Sequence, residues 1–155
     1  MSTDNWCTPR DLARMLGPFD TDPCSNPSSH IQASRTYAGT SPEDDGLTAP
    51  WFGSVFVNGP YSDPLPWCKR LVAHDGPWVA LWKLDPSTRW WAVLMEASPT
   101  VAPFRKRLKF EGEKSMTANF PSVLIYSAWR PCVELMQHLW LPTYAPRLQP
   151  ERSGG

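Results

Sequence analysis

Proline occurs eighteen times in this chain of 155 residues, where average usage of ~5% would give about eight. Each proline fixes φ, removes a backbone donor and interrupts a helix interior, so the chain has to be assembled from short elements and rigid turns. Its length is that of one domain on the usual scale of ~100–200 residues, and a separate substrate module is not expected. Nine Trp, six Phe and four Tyr within an apolar fraction of 41% supply the large side chains of one sizeable core, which excludes an intrinsically disordered chain. Fifteen Lys and Arg balance fifteen Asp and Glu, so a polyanionic partner must be held by a local patch rather than by overall charge.

No apolar run approaches the ~18 residues of a membrane span, and Met1 to Asn5 lack the basic-then-apolar pattern of a signal peptide. A cytoplasmic location is expected. Cys7, Cys24, Cys68 and Cys132 form no Cys-x-x-Cys pair, so reduced structural thiols are expected rather than a disulfide framework or a metal site.

Thr8-Pro9-Arg10-Asp11 reads as a helix start, with Thr8 as cap and Pro9 at the first helical position. Leu12, Met15 and Leu16 give that helix its buried face, and Gly17-Pro18 stops it. From Phe19 to Cys24 apolar residues give way to acidic and turn residues, the pattern of a strand end opening into a site. Residues 28–50 are polar and rich in turn formers, a long loop of the kind that carries function. Ser54 to Val57 forms a brief strand, Pro66 to Ala73 a short helix, Trp78 to Trp82 a strand covered on both faces, and Ser87 or Thr88 opens a helix through Ala97. Phe104 to Phe110 alternates apolar and basic residues and is expected to pair, across a turn at Glu111 to Lys114, with a returning strand at Ser122 to Ser127. Pro131 to Leu141 is a last helix candidate. A single domain over 1–145 with a loose tail over 146–155 follows. Strands alternating with helices predict a small α/β, Rossmann-like, mostly parallel sheet closed by a C-terminal antiparallel hairpin.

The segment Val55-Phe56-Val57-Asn58-Gly59-Pro60-Tyr61 carries the most chemical information. Ligands of open α/β sheets bind beyond the carboxyl ends of strands, where Asn58 to Tyr61 would lie. The Asn58 amide oxygen and a neighbouring carbonyl can accept both hydrogens of an exocyclic amine; Tyr61 offers a flat face to a planar base. Pro60 fixes the backbone between them. The residues alone fit a tight turn equally well, since Asn-Gly is a common hairpin dipeptide.

Asn58-Gly59-Pro60-Tyr61 resembles the Asn/Asp-Pro-Pro-Tyr motif of amino methyltransferases that use S-adenosylmethionine, and further segments resemble the phage-type DNA N-6-adenine methyltransferases. Trp6-Cys7-Thr8-Pro9 is similar to that family's Trp-x-Thr-Pro, and Phe19-Asp20-Thr21-Asp22-Pro23-Cys24 to its Phe-Asp-x-Asp-Pro-Cys. Asp45-Gly46-Leu47 with Trp51, Gly53 and Val55, then Asp85 to Trp90, Arg107-Leu108-Lys109-Phe110 and Pro121 to Ile125, resemble other family segments in order. The resemblance implies methyl transfer from S-adenosylmethionine to a flipped-out adenine of double-stranded DNA, with Asn58, Gly59, Pro60 and Tyr61 catalytic. It further implies that Thr8, Pro9, Asp20, Asp22, Pro23, Cys24, Asp45 and Leu47 hold the cofactor, Asp22 near its methionine end. Gly59 stands where the family has Pro, which implies a slacker turn. The basic run Arg105, Arg107 and Lys109 is the candidate contact with nucleic-acid phosphates; a charged solvated edge is the alternative reading. Cytosine N4, RNA or protein glutamine as methyl acceptor, or a non-catalytic binding fold, are the other functional readings.

Overall fold

A computed structural model of the chain describes residues 7–110 and 116–140. Trp6, Lys114, the expected turn at Glu111 to Lys114 and the expected tail over 146–155 lie outside them.

Four parallel strands form the heart of the sheet: β1 (Phe19–Asp22), β2 (Ala33–Thr36), β3 (Val55–Val57) and β4 (Trp78–Lys83). They are joined by β5 (Thr100–Pro103) and β8 (Ser122–Ser127), and the spatial order is β2-β1-β3-β4-β8-β5. β8 runs antiparallel to both of its neighbours, β4 and β5. The expected α/β architecture is therefore present, with its antiparallel strand inserted beside β4. The separate two-stranded pairing of β6 (Lys109–Phe110) and β7 (Met116–Thr117) lies off the main sheet.

Apolar residues on successive strand positions bury both faces of the sheet, because adjacent side chains along a strand point to opposite sides. Along β4, Trp78, Ala80 and Trp82 pack with α2 (Leu65–Ala73) and α3 (Arg89–Met95) through Trp67, Cys68, Leu71, Trp90 and Leu94. Val79 and Leu81 face the other layer, where Leu12, Ala13 and Leu16 of α1 (Arg10–Leu16) and Leu135 of α4 (Val133–Met136) close the core. The Thr88 hydroxyl accepts from the Trp91 N–H and caps α3, as the sequence predicts. All four cysteines are free thiols, and burial pushes the Cys68 thiol up to about 12. No described helix is long and apolar enough to cross a membrane.

Four expectations change. Residues 28–50 are not one loop: β2 pairs with β1 over Phe19↔Ala33 to Asp22↔Thr36, and a 3-10 turn spans Pro42–Asp44. β2 escapes a periodicity reading because it is an edge strand with mostly exposed side chains. Phe104 to Phe110 is not a strand that pairs with Ser122 to Ser127. The pairing belongs to Thr100–Pro103, while Phe104 adds one backbone hydrogen bond to the Ser122 carbonyl and bridges to Leu139. Phe104 and Phe110 are buried as expected, yet Arg105, Lys106 and Arg107 are all exposed, so anchoring at the two ends rather than a pleat produces the alternation. The last helix is a single turn, Val133–Met136. Finally, Thr8 does not cap α1, which has no side-chain cap; its hydroxyl is used elsewhere.

Candidate active site

Strand order reverses between β1 and β3: the chain passes from β1 outward to β2 on one side, then returns to β3 and β4 on the other. In open parallel sheets this switch leaves a crevice beyond the carboxyl ends of the two central strands. Asp22 ends β1 and Asn58 follows β3 directly. Sequence segments thirty-odd residues apart are thereby brought to one rim, and Thr8, Asp22, Cys24 and Asn58 line the same narrow cleft together with Cys7, Asn26, Ser29, Ile31 and Phe56.

The Asn58 amide is held from both ends. Its Nδ2 donates to Thr8 Oγ1 at 3.0 Å, and its Oδ1 accepts from the Tyr61 hydroxyl at 3.4 Å. Thr8 is buried, so the contact sets the plane of the amide and turns its oxygen away from Thr8. Burial raises the Tyr61 phenol above its usual range, which keeps it a neutral donor. The Tyr61 ring lies 5.3 Å from Phe120 and 6.4 Å, edge-on, from Phe110. The Lys83 ammonium sits 5.2 Å over Phe120. Phe110, Phe120 and Lys83 are neighbours that no local motif around Tyr61 announces.

Asp22 is 2% exposed. Desolvation raises its carboxyl to about 7, against the opposing pull of the Cys24 N–H and the Ser25 hydroxyl, both of which it accepts. A carboxyl so placed is costly when ionised and empty-handed, and a cationic neighbour would restore its charge. The donor set therefore fits a ligand with a positive end.

The second expected cofactor segment lies against this loop. A Cβ on Gly46 would collide with the Pro23 carbonyl, so only glycine lets the two chains approach so closely. Arg70 from α2 ties the segment down: its guanidinium donates to the Gly46 carbonyl at 2.7 Å and to the Ala49 carbonyl, and lies 4.4 Å over Trp51. Asp45 Oδ1 accepts from the Leu47 N–H at 2.9 Å, an Asx turn, and Leu47 packs on the α2/α3 side of the sheet. Asp44 accepts from Ala38, Thr40 N–H and the Thr40 hydroxyl, which hold its carboxyl below the usual range. Asp20 is set apart from the cleft; its Oδ2 accepts from the Ser54 N–H and hydroxyl at 2.8 and 3.2 Å and steadies the start of β3.

Pro9, Leu12 and Met15 form one wall of a groove of about 550 Å³ whose other wall is Phe104 to Lys109. Pro9 follows Thr8 in the chain, so groove and cleft are lined at one point by consecutive residues. Arg105 Nε donates to the Leu139 carbonyl at 2.9 Å, and its guanidinium lies 4.9 Å over Trp140. Arg107 and Lys109 are exposed and make no ion pair among the described residues.

A mixed sheet whose parallel strands bring Asn58 beside a buried acid at the switch point is consistent with a Rossmann-like methyltransferase fold. Comparison with known proteins narrows the class: the chain belongs to the DNA N-6-adenine-methyltransferase (Dam) family, which matches residues 1–147. It is 31% identical over 117 residues to a DNA N-6-adenine-methyltransferase of Haemophilus phage HP1 (strain HP1c1), a match covering 69% of this chain and 65% of that relative. Membership of such a family implies a methyl donor.

Proposed function

We propose that this protein transfers a methyl group from S-adenosylmethionine to N6 of an adenine flipped out of double-stranded DNA. The observation that carries the reading is the Asn58 amide, oriented by Thr8 and Tyr61 at the carboxyl end of β3, within one cleft with the buried Asp22. S-adenosylmethionine, when bound, supplies an electrophilic methyl group on a sulfonium and a zwitterionic amino acid end whose α-ammonium is cationic.

The residues do the rest by positioning. An adenine N6 is a weak nucleophile because its lone pair is delocalised into the ring. Asn58 Oδ1 and a carbonyl of the turn accept its two hydrogens and favour the pyramidal nitrogen that can attack; the proton N6 gives up on methylation is acidic enough to leave to water, so no strong general base is required. Tyr61, neutral and held by Asn58, Phe110 and Phe120, offers an aromatic surface to the extruded base. Asp22 and the Pro23-Cys24 backbone hold the α-ammonium of the donor's amino acid end. Asp45 and Leu47, pressed against Pro23 through Gly46, extend that surface toward its nucleoside. Thr8 and Pro9 join the cleft to the basic groove, where Arg107 and Lys109 neutralise DNA phosphates without reading bases.

The test is methyl transfer from labelled S-adenosylmethionine to unmethylated duplex DNA, scored as N6-methyladenine after digestion. Asn58→Ala removes one acceptor from a transition state in a water-poor site and should cost about 1–3 kcal/mol or more, about fivefold to beyond a hundredfold in rate. Binding of S-adenosylhomocysteine should be preserved. A parent chain that binds the cofactor but methylates only RNA, protein or cytosine, or an Asn58→Ala variant as active as the parent, would overturn the reading.

A further inference from the structure

Gly59 and Trp82 occupy one space. Val57 pairs with Ala80 in the parallel register of β3 and β4, so two residues further along both chains Gly59 comes alongside Trp82. A Cβ built on Gly59 would fall inside the van der Waals surface of Trp82 Cζ2, 2.9 Å from Cη2 and 3.2 Å from Val57 Cγ1. Gly59 is buried and Trp82 is fully buried. The indole is itself fixed, tilted against Trp90 with ring centroids 5.7 Å apart, and belongs to the packed layer under α2 and α3.

The indole N–H of Trp82 has no hydrogen-bond partner among the described residues. Burying an unpaired donor costs stability, and a phenyl or aliphatic side chain would avoid that cost. Nε1 and Cζ2 are bonded to the same ring carbon, so the unpaired donor sits at the very edge of the ring that meets the catalytic turn. The side chain stands there despite its cost, and what it meets is the backbone between Asn58 and Pro60.

From this geometry we infer that Trp82 is a positioning residue for methyl transfer: its outer ring takes the volume a side chain at position 59 would fill and sets the turn that aims Asn58. Glycine at 59 is then a requirement of Trp82 rather than a loosened turn, and the two positions act as a unit. The inference rests on the methyltransferase reading above.

A double-mutant cycle of Gly59→Ala, Trp82→Phe and the pair tests it. Gly59→Ala forces the turn off the indole; Trp82→Phe withdraws the outer ring and leaves a gap under the turn. Displacements of this kind cost rate out of proportion to their size. Each single variant should lower kcat at least tenfold with cofactor KM within about threefold of the parent, and the double variant, whose added methyl enters the vacated space, should recover at least tenfold of the loss. If Gly59→Ala alone fails to fold, recovery of soluble, active protein by the added Trp82→Phe reads the same coupling. Rate losses that simply multiply, or a single variant with parental kcat, would overturn the inference while the methyltransferase reading stands. A parent chain that transfers no methyl group would instead overturn that reading. The same cycle on urea midpoints then decides whether positions 59 and 82 act as a unit, and midpoint shifts that simply add would overturn the inference.

Discussion

Replacing Asp22 by Asn should make the protein more stable at high pH and abolish one component of its pH dependence. The native carboxyl, 2% exposed, is raised from 3.8 to about 7 chiefly by desolvation, whereas in the unfolded chain it titrates near 3.8. Between those two values the native state holds a proton that the unfolded state has lost, so stability falls as pH rises through this window. The burial cost is absent below about pH 4 and complete above about pH 7. At 1.36 kcal/mol per unit, the full cost approaches about 4 kcal/mol, and roughly 2–3 kcal/mol of it is incurred between pH 5 and pH 8. The substituted amide would still accept the Cys24 N–H but brings hydrogens of its own, an offset of about 1–3 kcal/mol that does not vary with pH.

Urea unfolding of parent and Asp22→Asn at pH 5 and pH 8, at fixed ionic strength, isolates the effect, because other titrating groups cancel in the difference between the proteins. The stability difference should move in favour of the variant by roughly 2–3 kcal/mol over that interval. A difference constant within about 0.5 kcal/mol, the error at which such shifts cease to be meaningful, would show that the native carboxyl is not desolvated. On the proposed function the same variant should bind S-adenosylmethionine more weakly, since it discards the carboxylate proposed to hold the donor's α-ammonium.

Three further outcomes follow from the site. Thr8→Val should lower kcat about tenfold or more by freeing the Asn58 amide to rotate, and Thr8→Ser should restore most of it, as measured by initial rates at saturating cofactor. Tyr61→Phe should lose little in the same assay, because the aromatic face is kept and the hydrogen bond to Asn58 Oδ1 is long, 3.4 Å; Tyr61→Ala should lose about 1–3 kcal/mol of base stacking. Replacing Arg107 and Lys109 together by Ala should weaken DNA binding and shallow its salt dependence by about one phosphate per residue engaged. Adding Arg105→Ala should also lower thermal stability, since that side chain ties the Phe104 segment to Leu139 and Trp140.

The sequence by itself determined the fold class, the end of β3 and most of the short elements, though not β2, the partner of β8 or the length of the last helix. A short uninterrupted apolar run such as Trp78 to Trp82, bounded by turn residues, has the pattern of a strand covered on both faces, and Val55 to Val57 running into Asn-Gly-Pro-Tyr marks where a strand stops. These are local properties, set by a few consecutive residues. Contacts between distant residues were decided by the tertiary structure alone. Thr8 had the composition of a helix cap, yet fifty residues separate it from the amide it engages. The sheet order that puts Asp22 beside Asn58 leaves no periodic trace in either segment. Gly46 and Gly59 look in sequence like ordinary turn glycines; that one must admit the Pro23 carbonyl and the other the indole of Trp82 becomes visible only when the second surface arrives. Side-chain identity states what a residue can donate, accept or fill, and only the folded chain decides which neighbour claims it.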